Sequence, residues 1–262
     1  MNTLIKNWAY KDYTHDIDGV AFVLNPEWKK IAVSISGGAD SAMLAYILCD
    51  LIVKNNLKIQ VHIISNIRMW KTRPWQKWDS LNVYYELCVR FPTIEFIRHE
   101  NFIAPDIEYG NIGPIIKDEY GHMKSGDQIS VRSHAEYVCF TQKINAWFAG
   151  ITKNPPLDSI TFKPDDRNNE LTEENIHLLV DFQQGIYVCH PFRFTSKDWI
   201  IRQYKNFNLE NLLSKTRSCE GDTQTFPDVF EGIDYRTYVP GQTIPTCGKC
   251  FWGQERNWAL SQ

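Results

Sequence analysis

No stretch of the chain approaches the ~20 consecutive apolar residues that a helix needs to span a bilayer. A basic excess is missing too. The 262 residues carry a formal net charge of −3, so no global positive field draws in nucleic acid. Residues 1–12 hold Asn, Lys and Trp rather than a charged start and an apolar core, so no secretory signal is expected. Seven cysteines is an odd number, which argues against the disulfide framework of a secreted protein and for reduced thiols. Internal repeats and low-complexity tracts are absent. The expectation is a cytoplasmic protein without membrane or nucleic acid as partner. A chain of this length buries about three quarters of its unfolded surface, enough for one large domain or a domain with an appendage.

What is present is concentrated in residues 31–41, I-A-V-S-I-S-G-G-A-D-S. The apolar run 31–35 reads as a buried parallel strand ending in Ser34 and Ile35, and residues 42–51 are apolar and helix-forming. Between them, Ser36, Gly37, Gly38, Ala39, Asp40 and Ser41 make a phosphate cradle. Glycines let the backbone approach an anion without a Cβ in the way. The first helical N–H groups then face it, backed by the positive end of the helix dipole. Ser36 and Ser41 add hydroxyl donors. Asp40 cannot bind phosphate directly, so it either caps the helix or meets a Mg²⁺ carried by a nucleotide. No Lys follows the glycines where a Walker loop has one, and the third glycine of G-x-G-x-x-G is missing.

Residues 59–64 (I-Q-V-H-I-I) barely alternate and read as a second buried strand. Residues 94–97, 157–162 and 187–192 are candidates for a third, fourth and fifth, and 20–24 for an edge or cover. Helices are expected over 75–91, stopped by Pro92, and over 130–149, 172–181 and 195–204. A capping box at Thr195-Ser-Lys-Asp198 opens the last. Residues 101–126 read as a long functional loop. Strands alternating with helices imply an α/β protein with a doubly wound, mostly parallel five-stranded sheet, its ligand at the carboxyl ends of the strands. The division is a lead-in at 1–30, a phosphate-binding domain at 31–205 and a cysteine-containing region at 206–262.

That last region holds Cys219 and Cys247-Gly-Lys-Cys250. A C-x-x-C in a glycine-containing knuckle can aim two thiolates at one metal ion, which suits tetrahedral Zn²⁺, and Cys219 could supply a third. A redox pair and three unrelated thiols are the alternatives. Cys49, Cys88, Cys139 and Cys189 lie in apolar segments and read as small core residues.

The string S-G-G-A-D-S resembles the pyrophosphate loop of the N-type ATP pyrophosphatases, which hold the β and γ phosphates there and cut ATP between α and β. The chain as a whole resembles the 7-cyano-7-deazaguanine synthase family. The counterparts are Thr195-Ser-Lys-Asp-Trp-Ile200, Thr216-Arg-Ser-Cys219 and Cys247-Gly-Lys-Cys250-Phe-Trp-Gly253, with Arg132 a loose match to a family arginine. The resemblance implies an adenine nucleotide alpha hydrolase-like fold, ATP with Mg²⁺ on residues 34–41, and catalytic roles for Asp40, Ser41 and Arg132. It further implies Zn²⁺ on Cys219, Cys247 and Cys250. The implied reaction adenylates a deazapurine carboxylate and lets ammonia displace AMP, and a homodimer is the assembly to look for. Arg132, Lys163 and Arg193 are candidate cations for the α-phosphate, each of which reads more readily as ordinary surface charge, and loops 101–126 and 157–167 are expected to read the purine edge.

Two departures stand out. The family's fourth zinc cysteine falls on Gly253, for which Glu220, Asp222, Glu255 or a water are substitutes, and Ser65-Asn-Ile-Arg-Met-Trp70 lacks the family's D-Y-G-Q. A tRNA sulfurtransferase-type enzyme, a reductase of adenylylated sulfate and a non-catalytic nucleotide-binding protein remain alternatives.

Overall fold

A computed structural model describes residues 3–67, 75–102, 116–117, 123–124, 126–156, 158–161, 170–219 and 246–262. Most of the expected loops 101–126 and 157–167 lies outside the described residues, as do Arg68, Met69 and Trp70, Lys163, Glu220 and Asp222.

A hairpin of Thr14–Ile17 (β1) and Val20–Val23 (β2) leads to Lys30–Ser34 (β3). Every residue of β2 is buried, so the expected lead-in strand is a cover on the core. β3 is a central strand of a six-stranded sheet. Gln60–Ile67 (β4) and Phe96–Phe102 (β5) extend it on one side. A separate pair, Ile116–Lys117 (β6) and Met123–Lys124 (β7), precedes the other side. There Ala146–Phe148 (β8) lies parallel to β3, Val180–Gln183 (β9) forms the far edge, and Ile186–Cys189 (β10) sits between them. Five strands are parallel, and β9 alone runs antiparallel, to β10. The chain thus leaves β3 to one side through β4 and β5 and returns to its other side at β8. That reversal opens a crevice at the carboxyl end of β3, where α/β sheets bind ligands.

Helices cover both faces because the strands are apolar on both. Ile31 and Val33 enter a core shared with Ala39–Lys54 (α1), Gln76–Arg90 (α2) and, later in the chain, Lys197–Asn206. Ala32, between them, packs instead with Ala135, Val138 and Cys139 of Gly126–Gln142 (α3). Period-two alternation on β3 is the doubly wound architecture seen from one strand. Among the described residues no helix is long and apolar enough to cross a membrane.

Three expectations change. The helix read over 130–149 stops at Gln142, and residues 146–148 are the fourth parallel strand. Lys143 has φ of 54°, and the Asn145 side chain accepts from the Lys29 and Lys30 amides at 2.9 and 3.1 Å, tying the turn to β3. The described residues 158–161 are not a strand. The helix expected over 172–181 is a 3₁₀ turn, Ile176–Leu178, followed by β9.

On β4 and β5 the buried His62 stacks on His99, with Nδ1 2.9 Å from His99 Nε2 and Nε2 2.7 Å from Gln60 Oε1. Burial, then the charges of His99 and Lys30, lower the His62 pKa to about 4. Unfolded, the same group titrates near ~6.5, so its stabilisation is complete above that pH and is lost as pH falls toward 4. His62→Gln is expected to lose less melting temperature than wild type between about pH 7 and about pH 4.5. Parallel pH curves for the two proteins would count against this.

Candidate functional site

The turn between β3 and α1 is braced by its own hydroxyls. The Ser36 amide donates to Ser41 Oγ at 3.2 Å, Ser41 Oγ donates to Gly38 O at 3.1 Å, and the Gly38 amide donates to Ser36 Oγ at 3.3 Å. Gly38 is the N-cap of α1 and makes no side-chain cap, and the Ala42 amide reaches its carbonyl at 3.2 Å. By helix geometry the N–H groups of Ala39, Asp40 and Ser41 have no acceptor within the helix. Gly37 has φ of +81°, and a Cβ there would lie 2.6 Å from Asp79 Cβ and 2.9 Å from the Ser80 amide of α2. A Cβ at Gly38 would instead point between Ser36 Oγ, at 3.3 Å, and Ser218 Oγ, at 4.0 Å.

A cleft of about 400 Å³ opens beside this turn. Of the residues expected to bind a nucleotide, Ser34, Ile35, Ser36, Gly38, Asp40 and Ser41 line it. Gly37 and Ala39 support it from behind, Ala39 as a buried residue whose carbonyl accepts from Tyr204 Oη at 2.8 Å. Arg132 does not reach the cleft: it is half exposed on α3, 2.6 Å from Glu136. Arg193 is likewise absent from the lining.

The far wall comes from segments distant in sequence. Lys197 opens Lys197–Asn206 (α4), which is followed by the short Glu210–Ser214 (α5) and, at the chain's end, by Phe251–Ser261 (α6). Lys197 is fully buried, its Nζ 3.0 Å from Asp40 Oδ2 and 2.7 Å from Glu255 Oε2. Burial alone would lower its pKa, but the two carboxylates overcome that and raise it. Asp40 Oδ1 is buried without a hydrogen-bond partner, so the capping role expected as one option for Asp40 is not the observed one. Glu255, one of the substitutes for a fourth metal ligand, faces Lys197 instead.

Arg217 completes the wall. Its guanidinium lies 4.6 Å from the Trp75 ring, and its amide donates to Gly37 O at 2.8 Å. Next to it Asp79 is pushed up to about 7 by burial, against the opposing pull of Arg217 and Arg256. Lys197, Arg217 and Ser218 stood inside the quoted T-S-K-D-W-I and T-R-S-C segments, so the sequence carried a signal for them. Trp252 stood inside the quoted C-G-K-C-F-W-G segment and Asn66 in the segment that departs from the family, while Trp75, Gln76 and Asp79, which also line the cleft, had no signal.

Cys219 lies on the cleft wall and gathers Cys247 and Cys250, all three buried. Their sulfurs lie within 4.8 Å of one another, with Cys219 Sγ 3.2 Å from Cys247 Sγ and 3.8 Å from Cys250 Sγ. A tetrahedral ion with bonds of about 2.3 Å sets its ligands about 3.8 Å apart, so the spacing suits one ion shared by three thiolates. Hydrogen bonding from Cys250 lowers the Cys219 thiol to about 7 against the effect of burial, and Cys250 is raised in return. Gly253 borders the cluster: its amide donates to Cys250 Sγ at 3.3 Å, and a Cβ there would sit 3.3 Å from that sulfur.

No protein-family model matches the sequence, and no curated protein does. Among solved structures, a U34-tRNA thiolase from Methanococcus maripaludis, described with its 4Fe–4S cluster, is 16% identical with a TM-score of 0.46, over 72% of this chain and 60% of that one. NAD⁺ synthetase from Burkholderia pseudomallei is 11% identical with a TM-score of 0.35, over 71% and 60%. Phosphoadenylyl-sulfate reductase from Candida auris is 13% identical with a TM-score of 0.38, over 77% and 89%. The chain therefore spans 60% of the length of the thiolase and of the synthetase. None of the three likenesses is close enough to bear on what this chain does.

The two glycines make different demands. Gly37→Ala combines a left-handed backbone with contact against α2 and is expected to cost about 2–4 kcal/mol of unfolding free energy. Gly38→Ala, with ordinary φ and room toward the cleft, is expected to cost under about 1 kcal/mol. Denaturant titration checks both, and equal losses would mean the turn is read wrongly.

Proposed function

We propose that the cleft binds ATP as its Mg²⁺ complex, with the β and γ phosphates on residues 36–41, and transfers AMP to an acceptor oxygen. The observation that carries this is the position of the turn. Its free helical amides, Ser36 and Ser41 line a cleft at the sheet's point of strand reversal, without the lysine of a Walker loop. In the resemblance drawn from the sequence, the acceptor is the carboxylate of 7-carboxy-7-deazaguanine. Its oxygen attacks the α-phosphorus, the bond to the β-phosphate oxygen breaks and pyrophosphate leaves. Ammonia then attacks the activated carbonyl carbon and AMP departs, leaving the amide. A second ATP activates the amide oxygen, and its departure as AMP gives the nitrile. Asp40 serves the nucleotide's Mg²⁺, Ser41 the phosphates, and a zinc ion on Cys219, Cys247 and Cys250 holds the C-terminal segment to the cleft.

One observation favours a second reading, with sulfur as the incoming atom. Cys219 lies in the same cleft as the turn; its thiolate would displace AMP from the activated carbon to give a thioester, from which sulfide would release the thiolated product and the free thiolate.

Incubation with ATP, Mg²⁺, ammonium and 7-carboxy-7-deazaguanine is expected to release AMP and pyrophosphate only when the acid is present, with amide or nitrile detected by mass spectrometry. ADP and phosphate would rule out this chemistry. AMP release with other acids alone would keep the mechanism and reject the substrate, and a thiolated product with sulfide would select the second reading.

Protein purified without chelator is expected to contain about one zinc per chain, and Cys250→Ser to release it and lower the melting temperature. Metal-free protein of unchanged thermal stability would show that the three thiols hold no ion.

A further inference from the structure

Lys197 is the most completely buried cation in the cleft, with a side-chain exposure of 1%, and it faces two carboxylates of which Glu255 is fully buried. A lone ammonium there would be prohibitively desolvated, and two carboxylates leave the group with a formal charge of −1. Lys197 grips only one oxygen of Asp40. The other, Oδ1, is buried without a partner while Asp40 itself lines the cleft beside the phosphate turn. A buried anionic oxygen that lacks a donor, next to a phosphate site, fits a divalent cation shared with the phosphates. Mg²⁺ is commonly held in this way, by one or two carboxylates plus phosphate oxygens and water.

We propose that Lys197 is a positioning residue, which fixes the Asp40 carboxylate through Oδ2 so that Oδ1 is presented to the nucleotide's Mg²⁺. Glu255 is the brace that holds the ammonium in place. The proposal rests on the ATP reading of the cleft given above. The brace reaches in from α6, the helix that begins directly after Cys250, and the Cys250 sulfur accepts from Gly253 as its N-cap. The thiol cluster and the phosphate turn are thus joined by one short helix and one ammonium. Trp252, whose ring lies 5.6 Å from Nζ, closes the group on the cleft side.

Lys197→Met combined with Glu255→Gln tests this, because it keeps the volume close and leaves the net charge of the group unchanged at the single carboxylate of Asp40. Calorimetric ATP affinity in the presence of Mg²⁺ is expected to fall at least about tenfold, with a matching rise in the half-saturating Mg²⁺ concentration. Affinity measured in EDTA should change less than about threefold. Added to Asp40→Asn, the two changes should cost nothing further, since a residue acting through Asp40 has no effect once its charge is gone. If the combined variant fails to fold, Glu255→Gln alone is expected to shift the Mg²⁺ requirement in the same direction by a smaller factor. An unchanged Mg²⁺ requirement in either folded variant, or full additivity with Asp40→Asn, overturns the positioning role. Wild type that binds no ATP overturns the reading of the cleft and this role with it. Equal losses with and without Mg²⁺ keep the nucleotide site and remove Lys197 from its metal chemistry.

Discussion

The ammonium of Lys197 is the constraint around which the cleft is assembled. A charge this deeply buried is tolerable only with its partners in place, and losing one such partner typically costs about 3–5 kcal/mol. The partners come from opposite ends of the chain, Asp40 from the first turn of α1 and Glu255 from α6. Satisfying the lysine therefore forces the C-terminal helix against the turn between β3 and α1. Other contacts follow the same seam: Tyr204 Oη donates to the Ala39 carbonyl at 2.8 Å, and Arg256 donates to the carbonyls of Thr216 and Leu213, each at 3.0 Å. The chain ahead of Cys219 is held by these bonds as much as by its own sulfur contacts.

The sheet supplies the other half of the geometry. With β4 and β8 on either side of β3, the carboxyl end of β3 is flanked by Ile64 and Asn66 on one side and by Gly150 and Ile151 on the other, all of which line the cleft. The turn then has to pass close under α2, which is why position 37 admits no side chain. Residues from α2 reach the cleft for the same reason: Gln76 and Asp79 stand one turn apart on the helix face that presses on the glycine.

How much of this was legible in the sequence depended on locality. The strand–turn–helix at 31–51 was readable because its apolar run, glycine pair and helix formers are contiguous, and the observed elements are Lys30–Ser34 and Ala39–Lys54. The three cysteines came together as their spacing suggested. The strand at Ala146–Phe148 was hidden because three residues give no period, and Ile144 and Trp147 extend the helical spacing of the segment before it. The cations of the cleft, Lys197 and Arg217, were visible only as letters of motif segments, and their role was not. Apart from that match, nothing local distinguishes Lys197 from a surface lysine after a helix cap, because its partners lie far off at residues 40 and 255. Arg132 shows the converse, a loose motif match whose guanidinium faces Glu136 on an exposed helix face.

On the proposed ATP reading, the electrostatics of the cleft decide how it would hold a polyphosphate. Lys197 brings no net positive charge, since two carboxylates more than balance it. Arg217 is spread over the Trp75 ring and also feels Asp79 and the cysteines. Arg256, buried nearby, is shared between Asp40 and Asp79. The helical amides at the start of α1 add a dipole worth about half a charge. Asp79, beside Gly37, limits the repulsion because burial lifts its carboxyl to about 7, where it is not fully ionised. An incoming phosphate would raise it further, so binding of an anion here is coupled to uptake of a proton. On the ATP reading proposed above, a cation that arrives with the ligand meets part of its charge, and the unpartnered oxygen of Asp40 is the protein atom proposed to receive it.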